Sequence, residues 1–133
     1  MAQHEAGAGV RLENLQEGPG LFERLFNDGN LDGLTSLYEP DAVLVHEPDP
    51  QAVGTAAICD ALARLLRGNP AFTINRRSAQ RSGDLVLAIY DWTRTGTGPD
   101  GDVRDTGGRG AIVLRRQPDG AWLVVLDNLT ACG

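Results

Sequence analysis

The amino-acid sequence predicts an α+β domain in which helices from the N-terminal half cover one face of a curved, mostly antiparallel sheet. This prediction rests on the order of the hydrophobic patterns. Up to Arg67 the apolar residues recur mainly at helical spacing, and after Pro70 apolar and polar residues alternate with a period of two. Helical and strand patterns therefore follow one another, which favours an antiparallel meander over a parallel α/β sheet.

The N-terminal half predicts three helices. Gly29 ends the first, from about Glu17 to Asp28, whose apolar side chains form one stripe: Leu21, Phe22, Leu25 and Phe26. A second, short helix runs from Leu31 to Tyr38, with Asn30 as its N-cap and Pro40 closing it. The third helix runs from Thr55 to Arg67, and Thr55 is its predicted cap.

The strand pattern begins with a short segment, Ala42 to His46, between the second and third helices. Four further strands follow Pro70, over about 72–77, 85–93, 109–116 and 121–129. The glycine-rich segment from Gly96 to Gly108 predicts a mobile hairpin connection. The pair Asp119-Gly120 predicts a tight hairpin turn, because both residues tolerate positive φ.

Length and charge limit the classes of protein to consider. We expect a disordered tail over 1–12 and a single domain over 13–133, since 133 residues suit one domain. The 12 basic and 18 acidic residues give a net charge of −6, which disfavours binding to nucleic acid or to an anionic membrane surface. The first residues show no basic segment followed by an apolar stretch, and no apolar run approaches the roughly 18 residues that span a bilayer. These features predict a cytoplasmic protein.

The residue types exclude several kinds of chemistry. All 12 basic residues are arginines, so a Schiff-base lysine and a phosphate-loop lysine are excluded. Cys59 and Cys132 predict neither a disulfide framework nor a zinc site. His4 belongs to the predicted tail, which leaves His46 as the imidazole of the domain. Without a metal-ligand cluster or a dinucleotide fingerprint, the sequence implies no metal and no cofactor.

Several stretches, taken in order and spacing, carry a family resemblance: 25–42, 83–85, 91–93, 114–122 and 126–128. Together they resemble the SnoaL-like branch of the nuclear-transport-factor-2-like superfamily, and the resemblance covers nearly the whole chain after the tail. It implies a cone-shaped barrel, in which three helices wrap a bent sheet around an interior ligand pocket, and a homodimer formed through the outer face of the sheet. The family includes ketosteroid isomerases, polyketide cyclases, epoxide hydrolases, dehydratases and binding subunits, so the fold does not decide the function.

The isomerase pattern of this family is incomplete. The resemblance places its carboxylate base at Glu47, directly before Pro48. Its two hydrogen-bond donors, a tyrosine on the first helix and a carboxylic acid on a later strand, fall on Phe22 and Ile112. Neither side chain can donate a hydrogen bond to an enolate, which disfavours the familiar ketosteroid-isomerase route.

The epoxide-hydrolase pattern is also incomplete. It requires an arginine and an aspartate two residues apart on one strand, with a second aspartate on a neighbouring strand. Arg109 and Asp127 are present, but Ala111 stands two residues after Arg109. Arg109 could bind a carboxylate or pair with Asp127, and we favour the pair.

The remaining acids define the predicted site. Alignment of the last strand places Val125, Asp127 and Leu129 on the pocket side, and our register for the long strand places Asp91 inward, although a slip of one residue would bring Trp92 inward instead. His46 and Glu47 are adjacent and point to opposite faces. The predicted catalytic residues are Asp127, Glu47 and Asp91, and the predicted pocket residues are Phe22, Phe26, His46, Trp92, Arg109, Ile112, Val125 and Leu129.

Two functions remain open from the sequence. The leading one is a homodimeric protein that binds a small apolar or amphipathic molecule in an interior pocket. The alternative is an isomerase, cyclase or dehydratase in which a pocket carboxylate transfers a proton, because burial in an apolar cavity raises the pKa of a carboxyl group. A protein-interaction module ranks below both, because no segment predicts an exposed apolar patch beyond the dimer face.

Overall fold

The computed structural model describes residues 10–97 and 100–131. Within them, a 3-10 turn at Leu15–Glu17 precedes three α-helices: α1 (Gly18–Asn27), α2 (Leu31–Thr35) and α3 (Thr55–Leu65). The six described strands are β1 (Tyr38–Val45), β2 (Ala52–Val53), β3 (Ala71–Ser82), β4 (Leu85–Thr97), β5 (Val103–Arg116) and β6 (Trp122–Asn128). Across these ranges, every helix is too short and too polar to cross a membrane.

The strands form one sheet in the order β2-β1-β6-β5-β4-β3. Neighbouring strands are antiparallel except β1 and β6, which run parallel. The sheet is curved and open, with β2 and β3 at its edges, and the helices cover its concave face, where the apolar core lies. The predicted α+β fold, with N-terminal helices wrapping a mostly antiparallel sheet, is confirmed.

Helix α1 is joined to edge strand β3 by side-chain hydrogen bonds. The Asn27 amide donates to the carbonyl of Phe72 (3.0 Å) and accepts from its N–H (2.7 Å), while Glu23 accepts from the N–H of Ile74 (2.8 Å). The rings of Phe26 and Phe72 pack at a centroid distance of 4.5 Å. An edge strand leaves backbone groups unpaired, and here the helix supplies their partners.

Several helix and strand boundaries in the first half of the chain differ from the predicted ones. Asn30 caps α2 as predicted, accepting from the N–H of Gly33 (2.9 Å). The second helix nevertheless ends at Thr35, because Tyr38 pairs with Val124 of β6 and so opens β1. The N-cap of α3 is Gly54 at φ 89°, and not Thr55, which is already helical.

The N-terminal tail ends earlier than predicted. Leu12 is buried, and its carbonyl accepts from the N–H of Trp122 (2.8 Å). The segment just before the first turn therefore packs against β6 and is part of the fold. The rest of the predicted tail, residues 1–9, lies outside the described residues.

The predicted hairpin connection between β4 and β5 lies within the glycine-rich segment but is shorter than predicted, because most of that segment is strand. Strands β4 and β5 stay paired from Thr93–Gly107 to Thr97–Val103, and residues 98–99 lie outside the described residues. The physical reason is close packing. A Cβ on Gly107 would lie 2.5 Å from the carbonyl oxygen of Trp92. Glycine inside a strand marks such a close approach as readily as it marks a turn.

Gly110 has the same role for Tyr90, its cross-strand partner. The phenol of Tyr90 lies across β5 at the place that a side chain on residue 110 would occupy, and a Cβ there would be 2.5 Å from the Tyr90 hydroxyl oxygen. The absence of a side chain at Gly110 therefore lets Tyr90 reach β6, where its hydroxyl bonds Asp127.

We expect Gly110→Ala to lower the free energy of unfolding in urea by about 1–3 kcal/mol, the usual cost of overpacking. A Cβ on the exposed Gly20 of α1 would meet no atom within 4 Å, so Gly20→Ala is expected to stabilise the protein slightly. In a Tyr90→Ala background the cost of Gly110→Ala should largely disappear. An equal cost in both backgrounds would contradict this account of Gly110.

Candidate functional site

A cavity of about 450 Å³ lies between the concave face of the sheet and the helices. Its inner wall is apolar and is contributed by α1, α3 and strands β3 to β5, with Leu129 just after β6: Phe22, Phe26, Leu62, Leu65, Phe72, Ile74, Val86, Ala88, Trp92, Ile112, Leu114 and Leu129. Three polar side chains interrupt this wall at one place: Tyr38, Tyr90 and Asp127. They form a single cluster.

Asp127 is the centre of the cluster and is only 6% exposed. The Tyr38 hydroxyl donates to its Oδ2 (2.9 Å), and the Tyr90 hydroxyl donates to its Oδ1 (2.6 Å). The two tyrosines come from β1 and β4 and reach the acid on β6. Each carboxylate oxygen therefore has a hydroxyl donor, and both donors approach from within the protein.

The environment of Asp127 changes its acidity. Burial raises the pKa of the carboxyl group to about 6, against the two tyrosine hydrogen bonds, which lower it. Burial also raises the pKa of Tyr38 and of Tyr90 well above the ordinary value, and the negative charge of Asp127 acts in the same direction. The phenols therefore stay protonated, while the carboxyl group changes charge close to neutral pH and can accept or donate a proton.

A bulge in β6 brings Asp127 to the inner face. Val113 pairs with Leu126, but the next residue of β5, Leu114, pairs with Val124, so Val125 has no partner and the alternation of faces shifts. Val124 is fully buried, and Asp127 and Leu129 also face inward. The predicted pocket position of Val125 is therefore wrong, because simple alternation back from Asp127 does not include the bulge.

Asp91 lies on the outer face of the sheet, so the register that placed it inward is wrong by one residue. Its carboxylate binds Arg109 Nε (3.0 Å) and Arg77 Nη1 (2.8 Å), and these hydrogen bonds lower its pKa. Trp92, its neighbour, faces the cavity and donates its indole N–H to the carbonyl of Leu129 (2.8 Å). Arg109 is the cross-strand partner of Asp91, and the predicted Arg109–Asp127 pair does not form.

Glu47 and His46 also lie outside the main cavity. Glu47 is exposed beyond the end of β1, where its N–H donates to Thr130 Oγ1 (3.2 Å). His46 packs edge-on against Trp92 at a centroid distance of 5.8 Å and lines a second, smaller cavity beside Arg64 and Arg94. Both residues follow the last residue of β1, Val45, and neither lines the main cavity, so the predicted positions of Glu47 and His46 in the pocket are corrected.

The structure thus brings part of the predicted site together. Of the predicted residues, those on the cavity wall are Phe22, Phe26, Trp92, Ile112, Asp127 and Leu129. The sequence interpretation missed Tyr38, assigned to the end of a helix, and Tyr90, assigned to packing. Gly110 could have pointed to Tyr90, because a glycine inside a strand can mark a place where another group passes close to the backbone, and here that group is the phenol of Tyr90.

Nothing in the described part of the chain gathers three His, Cys, Asp or Glu side chains as a metal site would. Cys132, one of the two cysteines in the sequence, lies outside residues 10–97 and 100–131. Asp127 and its two tyrosines are accordingly the polar centre of the cavity.

The fold is shared with many solved structures. A calcium/calmodulin-dependent protein kinase II association domain candidate from Xanthomonas campestris is 21% identical, with a TM-score of 0.75 over 90% of this chain and 87% of that chain. A ketosteroid isomerase-like protein from Erwinia carotovora atroseptica is 19% identical, with a TM-score of 0.73 over 84% and 89%. A nuclear transport factor 2 (NTF2-like) superfamily protein from Salmonella enterica serovar Typhimurium is 19% identical, with a TM-score of 0.73 over 86% and 85%.

At these identities the similarity shows the fold and not a shared activity. No curated protein sequence matches this chain. The sequence profile of the SnoaL-like domain matches residues 20–125, which include nearly all of the three helices, most of the sheet and Tyr38 and Tyr90 of the cluster. The chain therefore belongs to the SnoaL-like domain family.

Proposed function

We propose that the chain binds a small, largely apolar molecule in the interior cavity. The observation that supports this most directly is the cavity itself, because about 450 Å³ with an apolar wall and a few convergent polar groups is typical of ligand sites. A cavity of this size costs packing energy, so its presence favours a function that requires it. The family to which the chain belongs includes ligand-binding members, which supports the same proposal.

A second function, proton transfer, is supported by the Asp127 cluster. An acid with a pKa of about 6 is present in both charge states near neutral pH, which suits general acid–base catalysis. In its charged form, Asp127 would take a proton from a carbon next to a carbonyl group, and the electron pair of that C–H bond would pass to the carbonyl oxygen. Return of the proton to another carbon would complete an isomerisation. In a dehydration, the C–O bond of a hydroxyl group on the next carbon would break as the enolate re-forms the carbonyl, and the hydroxyl group would leave as water with the proton from Asp127.

The two tyrosines act on the carboxylate of Asp127 and not on the substrate. Their hydroxyls already donate to Asp127 (2.6 and 2.9 Å), so they stabilise the carboxylate and do not form a separate oxyanion hole. Phe22 and Ile112, at the positions where the family's isomerases place donors, face the cavity with apolar side chains. We therefore place Asp127 as the acid–base group, with Tyr38 and Tyr90 as positioning residues.

We also propose a homodimer through the outer face of the sheet. A continuous apolar row crosses this face through five adjacent, paired positions: Val53, Val43, Leu126, Val113 and Leu87. Leu126 and Leu87 remain 40% and 43% exposed. An apolar row of this length across one face is suited to pairing with the same face of a second copy.

The binding proposal predicts that the neutral apolar dye N-phenyl-1-naphthylamine binds the wild-type chain with an increase in fluorescence. Ala88 is buried on the cavity wall, so Ala88→Phe should fill the cavity and weaken dye binding at least about tenfold. Ala56→Phe, on the exposed side of α3, should leave binding unchanged. Equal binding by all three proteins would show that the dye binds elsewhere.

The proton-transfer proposal predicts that the protein accelerates exchange of the α-hydrogens of 2-tetralone, an apolar ketone, in D₂O, followed by ¹H NMR. Because the base must be ionised, the rate should rise with pH and reach half its maximum near pH 6. Asp127→Asn should remove at least about a hundredfold of the acceleration, and Asp91→Asn should not. An acceleration that survives in Asp127→Asn would contradict this role.

The dimer proposal predicts a species of twice 14.2 kDa in sedimentation velocity at micromolar concentration. Leu126→Arg places a charge in the middle of the apolar row and should shift the protein to monomer. Val103→Arg adds the same charge at a 71% exposed position outside the row and should leave the dimer intact. A wild-type species at 14.2 kDa alone would refute the dimer.

A further inference from the structure

The mouth of the cavity lies between the 3-10 turn and the second half of β3. The exposed lining residues come from these two segments: Gln16, Arg76, Arg77, Ala79, Gln80 and Arg81. The charged residues on the whole cavity lining are the three arginines and Asp127. Positive charge is therefore concentrated at the mouth, and the one acid of the lining lies at the far side.

The register of β3 determines which arginines face inward. Ile74 pairs with Trp92 and Arg76 with Tyr90, and both partners line the cavity, so Arg76 projects from the inner face. The register shifts after Arg76, and Arg81 then pairs with the buried Val86, which brings Arg81 to the same face. A bulge thus gives the edge strand two inward-facing guanidinium groups.

The guanidinium groups of the three arginines differ in the contacts they make within the protein. Arg77 is bound to Asp91 on the outer face (2.8 Å). Arg81 donates to the carbonyl of Gly83 (3.0 Å) and lies over the ring of Trp122. For Arg76, no hydrogen bond or ion pair joins the guanidinium group to any residue within 10–97 and 100–131. As far as the described residues show, the Arg76 guanidinium group is available to bind an anionic group at the mouth.

The position of Asp127 orients such a ligand. Arg76 on β3 and Asp127 on β6 are three strand spacings apart along the curved sheet, roughly 14 Å. A second negative charge close to the buried carboxylate would be unfavourable, because repulsion is strong where water is excluded. An anionic group is accordingly favoured beside Arg76 and disfavoured beside Asp127.

We infer that the ligand is an amphipathic molecule whose apolar body fills the cavity and whose single anionic group, such as a carboxylate, binds Arg76 at the mouth. This inference rests on the proposed binding function and specifies its ligand class. Arg76 provides the charge-assisted hydrogen bonds, the apolar wall contacts the body of the molecule, and the end of the ligand opposite its anionic group faces Asp127 and the tyrosines.

The test compares two competitors of N-phenyl-1-naphthylamine that differ in charge and hardly in size: 1-naphthaleneacetate and 1-naphthaleneacetamide. At pH 8, the wild-type chain should bind the acetate about tenfold more tightly than the amide, the contribution expected of one charge-assisted pair. Arg76→Gln should bring this ratio close to one, with each competitor measured against that variant's own affinity for the dye. The matched control is Arg67→Gln, which removes the same charge at an exposed position outside the cavity lining and should keep the tenfold ratio.

The outcomes separate the two proposals. If the dye fails to bind the wild-type chain, the binding function fails, and the ligand class fails with it. If the dye binds but the acetate and the amide compete equally, or if Arg76→Gln leaves their ratio unchanged, the anionic site at Arg76 alone is refuted. Stronger acetate binding by Asp127→Asn, with no effect of Arg76→Gln, would place the anionic group at the deep end and overturn the proposed orientation.

Discussion

Burial of the Asp127 carboxyl group is the constraint on which the cavity depends. A carboxyl group removed from water needs hydrogen-bond partners, and here they are the hydroxyls of Tyr38 and Tyr90. Tyr38 is on β1, next to β6, and Tyr90 is on β4, two strands away on the other side. Tyr90 reaches the acid by lying over Gly110, and β6 presents it by means of a bulge beside Val125. Glycine placement, strand register and the bulge therefore all serve the position of one acid.

Edge strand β3 has two functions, one in each half: the first half is joined to α1, and the second half lines the mouth of the cavity. Its first half receives Asn27 and Glu23 of α1 on its free backbone groups, which protects the edge from pairing with other strands. Its second half extends beyond the helix and lines the mouth of the cavity with arginines. The register shift after Arg76 separates the two halves. Charge on an exposed edge is a common protection against aggregation, and here some of that charge also faces the cavity.

The sequence was sufficient for the order of helices and strands, because that order follows from hydrophobic periodicity within each segment. It was also sufficient for the inward position of Asp127 and of apolar residues such as Phe22 and Ile112. It failed where one residue changes the face of a strand. Asp91 and Val125 were placed inward by alternation, and neither a register nor a bulge can be read from alternation alone. The run from Gly96 to Gly108 was interpreted from its local flexibility, whereas Gly107 lies against the carbonyl oxygen of Trp92 and Gly108 against its indole on the neighbouring strand.

The parallel pairing of β1 with β6 joins the first strand of the sheet to the last one in the sequence. Tyr38 and Asp127 are 89 positions apart, and Tyr90 and Asp127 are 37 apart. Such distant contacts make loop closure the slow part of assembly. During synthesis, helices α1 to α3 and the hairpin of β3 and β4 can form before the residues of β6 have been added. The acid and its two donors therefore come together only once β6 lies between β1 and β5, so the polar centre of the cavity depends on contacts between distant parts of the sequence.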